Sequence, residues 1–175
     1  MRHERGFVIA LSLVCLVVFL PSTGNAEEPC CWRAAVGAVT ITPEEPLWMG
    51  GYAARDEPAD GKIHDLFAKV LVVENLNGHR LVLVTTDLLG ITKELRTAVE
   101  TQVRPYGVER KSLLLNASHT HCGPELRSER ILRLGIDARY AALSRKYVRW
   151  VAQRIAILVG KVVDQIEPAR LFYSH

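Results

Sequence analysis

Two aliphatic runs joined by a tight-turn sequence constrain the fold of this chain more than any other feature. Residues 67–74 and 80–86 are rich in β-branched and aliphatic side chains, and Asn77-Gly78 lies in the segment between them. Asn-Gly between two such runs is a strong hairpin signal, because both residues tolerate the positive φ of a type I′ turn. The sequence therefore predicts two antiparallel strands here.

The segment after this hairpin predicts a helix followed by a third strand. Apolar residues recur at four-residue spacing from Leu95 to Val103 behind Thr92, a helix-capping residue type, and the pattern stops at Pro105. Residues 112–117 then form a short aliphatic run. Strand, helix and strand in this order predict a crossover with parallel pairing, because a parallel neighbour needs a long connection.

Weaker patterns complete the fold prediction. Residues 34–41 favour a strand, residues 44–62 a long irregular loop, and residues 123–138 a loop with about a turn of helix. A further strand is expected to start at residue 169 and to run to residue 173. One apolar face marks a long helix that ends before Pro168, formed by Tyr147, Val151, Ile155, Leu158, Val162 and Ile166. The sequence thus predicts an α/β fold with a mixed, partly parallel sheet and packed helices.

The last predicted strand has barely begun when the chain ends at His175. Because a terminal strand usually pairs and continues into a turn, we expect a truncated chain that forms the N-terminal portion of a larger α/β domain. The sheet edge at residues 169–173 would then be unpaired. We expect self-association through that edge.

The first 26 residues predict a secretory signal peptide. Two arginines within residues 1–5 precede an apolar run at residues 7–20, and small residues follow up to Ala26. About 14 apolar residues are fewer than the roughly 20 that span a bilayer. We therefore expect cleavage after Ala26, a secreted or periplasmic protein, and one mature domain over residues 27–175.

Composition excludes several classes of protein. The 175 residues are 49% hydrophobic and 23% charged, which is typical of a globular domain and argues against disorder or a coiled coil. The net charge of +3 comes from residues scattered along the chain, so no basic stripe predicts binding to nucleic acid. Three cysteines would remain after cleavage, at positions 30, 31 and 122, and an odd number leaves their pairing open.

The segment that most strongly indicates chemistry is residues 116–124, Asn-Ala-Ser-His-Thr-His-Cys-Gly-Pro. Residues two apart in an extended backbone point to the same side, so His119 and His121 can aim both imidazoles at one point. Such pairs occur in zinc hydrolases, where the metal activates a bound water or polarises a carbonyl. The pair alone leaves open the alternative of polar loop histidines without a site role.

Three other positions are candidates for the same site. Asp87 ends a predicted strand, where a carboxylate can cap a helix, orient a histidine or bind a metal. His64-Asp65 can belong to a site or simply to a turn. Cys122 can supply a soft metal ligand, and a small buried thiol is the alternative.

Together these segments resemble the N-terminal part of the neutral/alkaline non-lysosomal ceramidase family. The resemblance spans residues 33–173, nearly all of the predicted mature chain. The matching segments are Val36-Gly37, Thr42-Pro43, Met49-Gly50-Gly51-Tyr52, His64-Asp65, Phe67-Ala68-Lys69-Val70-Leu71-Val72, Thr86-Asp87-Leu88-Leu89-Gly90-Ile91 and residues 116–124.

This resemblance implies a zinc-dependent amidohydrolase that cleaves ceramide (N-acylsphingosine) into sphingosine and a fatty acid at membrane surfaces or in lipid aggregates. It implies that His119 is a zinc ligand and that His121 lies beside the metal and contributes to catalysis. Asp87 is expected to orient a histidine of the site. Cys122 stands where a serine is more usual in the family.

The family's other zinc ligands, a histidine, a glutamate and a tyrosine, lie beyond the matched stretch. The resemblance therefore implies that this chain alone lacks part of the zinc site, because such sites normally have at least three protein ligands. Two alternatives stay open. One is a hydrolase of the same fold that acts on another amide or ester, and the other is a non-catalytic exported interaction module.

Overall fold

A five-stranded sheet with packed helices is built by residues 31–172, the part of the chain that this computed structural model describes. The predicted signal peptide and the last predicted strand residue, 173, lie outside the described residues. In chain order the elements are β1 (Trp32–Thr40), β2 (Phe67–Asn75), β3 (Arg80–Thr86), α1 (Lys93–Val103), β4 (Leu113–Ala117), α2 (Ser128–Arg133), α3 (Ala138–Val163) and β5 (Glu167–Ala169).

The strand order across the sheet is β4-β3-β2-β1-β5. β1 and β2, β2 and β3, and β1 and β5 pair antiparallel, whereas β3 and β4 pair parallel. The β2–β3 turn is held by the side chain of Asn75, which accepts hydrogen bonds from the backbone N–H groups of Asn77 and His79. The predicted hairpin, the crossover and the mixed α/β sheet are confirmed.

In the last third of the chain the predictions are confirmed in part. α2 is the short helix expected within residues 123–138, and α3 begins at Ala138 and ends before Pro168 as expected, but Ile166 lies beyond its end. β5 starts two residues earlier than expected and includes Pro168. A proline is tolerated there because β5 is an edge strand, where a missing N–H need not break a ladder. Since β5 pairs with β1, only its outer edge remains for the predicted self-association, which stays a prediction.

Helix α3 covers β1 and β2 and fastens the loop that follows β1. Gly37 of β1 permits this close packing, because a Cβ at that position would lie 2.7 Å from a methyl carbon of Val162 and 2.9 Å from one of Leu158. The buried hydroxyl of Tyr147 donates a 2.5 Å hydrogen bond to the carbonyl oxygen of Ile41. Burial also raises the pKa of Tyr147, so the hydroxyl keeps its proton for this bond. Within residues 31–172 no helix is long and apolar enough to cross a membrane.

The two faces of the sheet differ in how far they are covered. The covered face lies under the helices and contributes buried core side chains, namely Val70, Val72, Val82, Val84, Leu113 and Leu115. On the other side, a row of aliphatic residues in register crosses four strands, formed by Val36, Leu71, Leu83 and Leu114. We call this row the open face, because Val36 is 72% exposed and Leu114 is 53% exposed.

Candidate active site

The candidate site lies where the parallel strands β3 and β4 end side by side. Thr86 is paired with Ala117 in the ladder, so the segments that follow them leave the sheet at the same edge. The N–H of Ser118 still donates to the carbonyl oxygen of Thr86, at 2.9 Å. This edge is where open α/β sheets place their ligand sites. It brings the turn after β3 next to the His-Thr-His segment.

His119 has a fixed ring orientation and an unusual backbone conformation. Its Nδ1 lies 2.8 Å from the carbonyl oxygen of Leu89. Because a carbonyl oxygen only accepts, Nδ1 carries the proton and Nε2 keeps its lone pair in the neutral ring. His119 also has φ of 59°, and among the described residues it is the one non-glycine residue with positive φ. Such backbone conformations cluster at functional sites.

His121 stands next to this ring. The two imidazole centroids are 5.2 Å apart, with 63° between the ring planes. The sequence argument predicted this approach from an extended backbone, and that part of the argument is wrong. β4 ends at Ala117, and the left-handed backbone at His119 turns the chain, so the rings meet across a turn. The predicted juxtaposition of the two side chains is present nonetheless.

A glycine-containing segment packs against His121 from the other side. Residues 48–50 run antiparallel to residues 123–125, with the N–H of Gly50 donating to the Gly123 carbonyl at 3.0 Å and the N–H of Glu125 donating to the Trp48 carbonyl at 2.8 Å. Gly51 has φ of 102°, and a Cβ there would lie 2.5 Å from Cγ of His121. A side chain at position 51 would therefore displace the imidazole, so glycine is required both by the backbone conformation and by space.

Two residues that the sequence analysis did not single out complete the surroundings of His121. Tyr52 meets the His121 ring edge-on at a centroid distance of 4.7 Å. Arg55 donates to the carbonyl oxygens of Gly50 and His121, at 2.7 Å each, and its guanidinium carbon lies 5.2 Å from the Tyr52 ring centroid. Tyr52 falls within a segment that the sequence analysis did quote, whereas Arg55 has no pattern around it that could have marked it.

Asp87 is hydrogen-bonded to the backbone of Phe67 and not to His119, so its expected role in orienting a histidine of the site stays a prediction. Its Oδ2 accepts a 2.9 Å hydrogen bond from the N–H of Phe67, and its own N–H donates to the Phe67 carbonyl at 2.9 Å. The acceptor that orients the His119 ring is the Leu89 carbonyl. Asp87 therefore holds the start of β2 against the end of β3, and it supports the site through the backbone.

The remaining candidates have simple structural surroundings. The Nδ1 of His64 contacts the carbonyl oxygen of Asp65, and the Asp65 carboxylate accepts from the Thr42 hydroxyl and from Lys62. Those bonds lower the pKa of Asp65, with the Lys62 ammonium as the largest cause. Cys122 is exposed, so the expectation of a buried thiol is wrong. His64-Asp65 thus lies at a bend just before β2, and Cys122 faces solvent beside the two histidines.

The donor set can supply part of a metal site. Nε2 of His119 is available as a ligand, and its protonated Nδ1 has the carbonyl partner that metal-binding histidines usually have on their second nitrogen. Within residues 31–172, no group of three or more His, Cys, Asp and Glu residues is placed to hold a metal ion. The described residues therefore fit a partial zinc site, short of the three protein ligands that such a site needs.

The fold matches solved structures of ceramidases. The neutral ceramidase from Pseudomonas aeruginosa superposes with a TM-score of 0.66 and 22% sequence identity, over 81% of this chain and 23% of that chain. A ceramidase complexed with C2 gives a TM-score of 0.67 and 22% identity, over 79% of this chain and 22% of that chain. No family model and no curated protein matches the sequence.

These matches confirm, at the level of the fold, the resemblance that the motifs indicated. This chain spans less than a quarter of the length of the ceramidase chains that it matches. This chain, with its mixed five-stranded sheet and packed helices, is thus similar in fold to one portion of a larger neutral ceramidase chain. The imidazoles of His119 and His121 lie in the loop that follows β4.

Proposed function

We propose that this chain is the N-terminal part of a secreted, zinc-dependent amidohydrolase of the ceramidase type. In this proposal His119 is a zinc ligand, His121 is a catalytic residue, and the reaction is the hydrolysis of N-acylsphingosine to sphingosine and a fatty acid. The single observation that carries it is the hydrogen bond between Nδ1 of His119 and the Leu89 carbonyl, at a position with left-handed backbone. The ceramidase fold supports it independently.

The geometry at His119 favours metal binding over an ordinary loop histidine. A free surface imidazole exchanges between tautomers, whereas the 2.8 Å bond to Leu89 holds this one with Nδ1 protonated. The ring is then preorganised to offer Nε2 to a metal ion. An exposed histidine with no ligand to bind would gain little from a strained backbone, since such a conformation costs of order 1–3 kcal/mol.

The proposed chemistry divides between the metal and this chain's residues. A zinc ion bound at His119 would supply Lewis acidity, which polarises the amide carbonyl and acidifies a bound water. His121 is adjacent to His119 and is held on its other side by Tyr52. Its imidazole can therefore accept a proton from a nucleophile, or return one to the departing amine, at the place where the amide would lie.

The rest of the proposed site comes from polypeptide outside the described residues. His119, even with His121, falls short of a complete ligand set, and more than three quarters of each matched ceramidase chain lies outside the match. We accordingly propose that activity needs a longer or complemented chain. The lipid substrate would be met at membrane surfaces after export through the predicted signal peptide at residues 1–26.

Zinc binding by the chain supplemented with the remainder of the enzyme tests this proposal, because the described residues alone fall short of a complete ligand set. Isothermal titration with zinc should then give a measurable affinity for the wild type that falls about tenfold or more in His119→Ala, because a ligand is lost. His79→Ala is the matched control, since His79 is an exposed histidine in the β2–β3 turn. It should bind zinc as the wild type does. Equal zinc affinity in the wild type and His119→Ala would contradict the assignment.

A substrate assay separates the proposed reaction from the alternatives. Release of sphingosine from N-acylsphingosine is measured with the chain supplemented by the remainder of the enzyme, alongside other N-acyl amides and esters. Hydrolysis of the ceramide that disappears in His121→Ala supports the ceramidase reaction. Turnover of another amide or ester alone would favour the same-fold hydrolase. The absence of both zinc binding and hydrolysis of every substrate would favour an interaction module.

A further inference from the structure

Arg55 joins the two loops of the candidate site at their backbones. Its Nη1 donates to the carbonyl oxygen of Gly50 and its Nη2 to that of His121, both at 2.7 Å. The first bond spans five positions of the chain, but the second reaches a peptide group 66 positions away in the sequence. One planar guanidinium therefore spans the glycine-containing segment and the His-Thr-His segment.

The chemistry of this contact suits a clamp. Both distances are at the short end for an N–H···O bond, as expected when the donor carries a full charge. Within residues 31–172 the guanidinium forms no ion pair with a carboxylate, so these donors are directed at the two carbonyl groups. A lysine cannot reproduce the arrangement, because its ammonium is a point charge and lacks the fixed fork of two parallel N–H groups.

The imidazole of the same residue, His121, is confined as well. Gly51 lies against the His121 ring so closely that a Cβ would approach within 2.5 Å. Tyr52 packs edge-on against that ring, and the Arg55 guanidinium lies over the Tyr52 ring at 5.2 Å. Arg55 thus holds the His121 backbone directly and holds, through Tyr52, one wall of the space that the imidazole occupies.

We propose that Arg55 is a positioning residue, which fixes the peptide group of His121 and so sets the place of that imidazole beside His119. The positioning itself rests on the geometry above. Its consequence for catalysis rests on the proposed function, because Arg55 would act through His121 and would not contact the substrate. A side chain displaced by about 1 Å can lower a rate about a hundredfold, which is why a clamp on this backbone matters.

The backbone claim is tested by NMR on the chain without metal or substrate. The carbonyl carbon resonances of Gly50 and His121 report the loss of a hydrogen bond at each oxygen. Both should move toward their unbonded positions in Arg55→Met, which keeps much of the apolar stem but has no donor. In Arg55→Lys the shifts should be intermediate, because one ammonium can serve the carbonyls only in part. Arg149→Met, at an exposed arginine of α3, is the matched control and should leave both resonances unchanged.

The outcome that overturns the clamp is equally clear. If the His121 carbonyl resonance of Arg55→Met coincides with that of the wild type while the spectrum stays native, Arg55 does not hold this peptide group. Should Arg55→Met fail to fold, Arg55→Lys decides. A His121 resonance unmoved in the lysine variant, or moved as much in Arg149→Met, counts against the proposal.

The catalytic consequence has its own readout. In the supplemented ceramide assay Arg55→Met should lower kcat by about tenfold to a hundredfold with little change in KM, and Arg55→Lys should recover part of the loss. Zinc affinity should change much less than in His119→Ala, because the His119 ring is held by Leu89 and not by Arg55. If the carbonyl resonances move in Arg55→Met but the supplemented wild type hydrolyses no substrate, the proposed function is wrong and the positioning role of Arg55 is still supported.

Discussion

The two faces of the sheet have similar composition but different surroundings. On the covered face, aliphatic residues lie beneath the helices and form one continuous core. On the open face, the row from Val36 to Leu114 is just as aliphatic, yet its outer members are mostly exposed. Strands that are apolar on both sides are typical of sheets buried on both faces. The difference shows that side-chain type alone does not tell which face supplies the stability of this part of the chain.

Adjacent leucines on β4 give the largest expected contrast between the faces. Leu115 is 7% exposed on the covered face, whereas its neighbour Leu114 is 53% exposed on the open face. Leu115→Ala should lower the free energy of unfolding by about 2–4 kcal/mol, since it leaves a cavity in the core. Leu114→Ala should lower it by less than about 1 kcal/mol. Urea unfolding of the two variants measures the contrast, and equal losses would mean that the open face is covered in solution.

Substitution in a row of charged residues at one end of the covered face should change the free energy of unfolding by a smaller amount that depends on pH. Glu74 is paired in register with Arg33 and Arg80, and its carboxylate accepts from both guanidiniums, at 2.9 and 2.6 Å. The hydrogen bond from Arg80 is the largest cause of the lowered pKa of Glu74. Glu74→Gln should therefore lower the free energy of unfolding at pH 7 by about 1–2 kcal/mol, the order of a charged hydrogen bond.

The sign of the pH dependence follows from that lowered pKa. The ionised carboxylate is favoured in the folded state, so its contribution is fully present above the unfolded pKa near 4.5 and is lost as pH falls through the lower folded value. The difference between the wild type and Glu74→Gln should thus shrink as urea unfolding is repeated from pH 7 toward pH 3. A difference that stays constant over this range would contradict the role given to the two arginines.

The smallest change in stability is expected at the candidate site, which lies at the edge of the sheet and belongs to neither face. His119→Gly and His119→Ala both remove the imidazole and its bond to Leu89, so they differ only in the backbone at φ of 59°. The glycine variant should be more stable than the alanine variant by about 1 kcal/mol, because an L side chain is strained there. Thermal unfolding of the pair measures this, and equal stability would argue against strain at His119.

Local signals predicted much of the fold. Asn77-Gly78 predicts the β2–β3 turn, and Thr92 predicts the start of α1, where its hydroxyl accepts from the N–H of Leu95 at 3.2 Å. Helical periodicity identified the buried face of α3 from Tyr147 to Val162. The start of β5 was missed and the bounds of α2 were left open, because three residues and six residues are too few to establish a period.

The candidate site was predictable only in part. The His119 and His121 pair was identified from its spacing, although the turn that joins the rings was not. Arg55 lies in a loop without any period, so nothing near it marks it as a contact of residue 121. Leu89 takes part through its carbonyl oxygen, a group that every residue possesses and that no side-chain pattern can distinguish.

The sequence by itself determined the hairpin, the start of α1 and the buried face of α3, because each depends on interactions between residues close in the chain. Only the tertiary structure decided which carbonyl orients His119, which residue clamps His121, and which face of the sheet is covered. Those contacts join peptide groups tens of positions apart, and their partners are set by the register of β3 beside β4 and by the packing of α3. Such partners depend on the three-dimensional arrangement of the chain, so the local pattern of side chains cannot predict them.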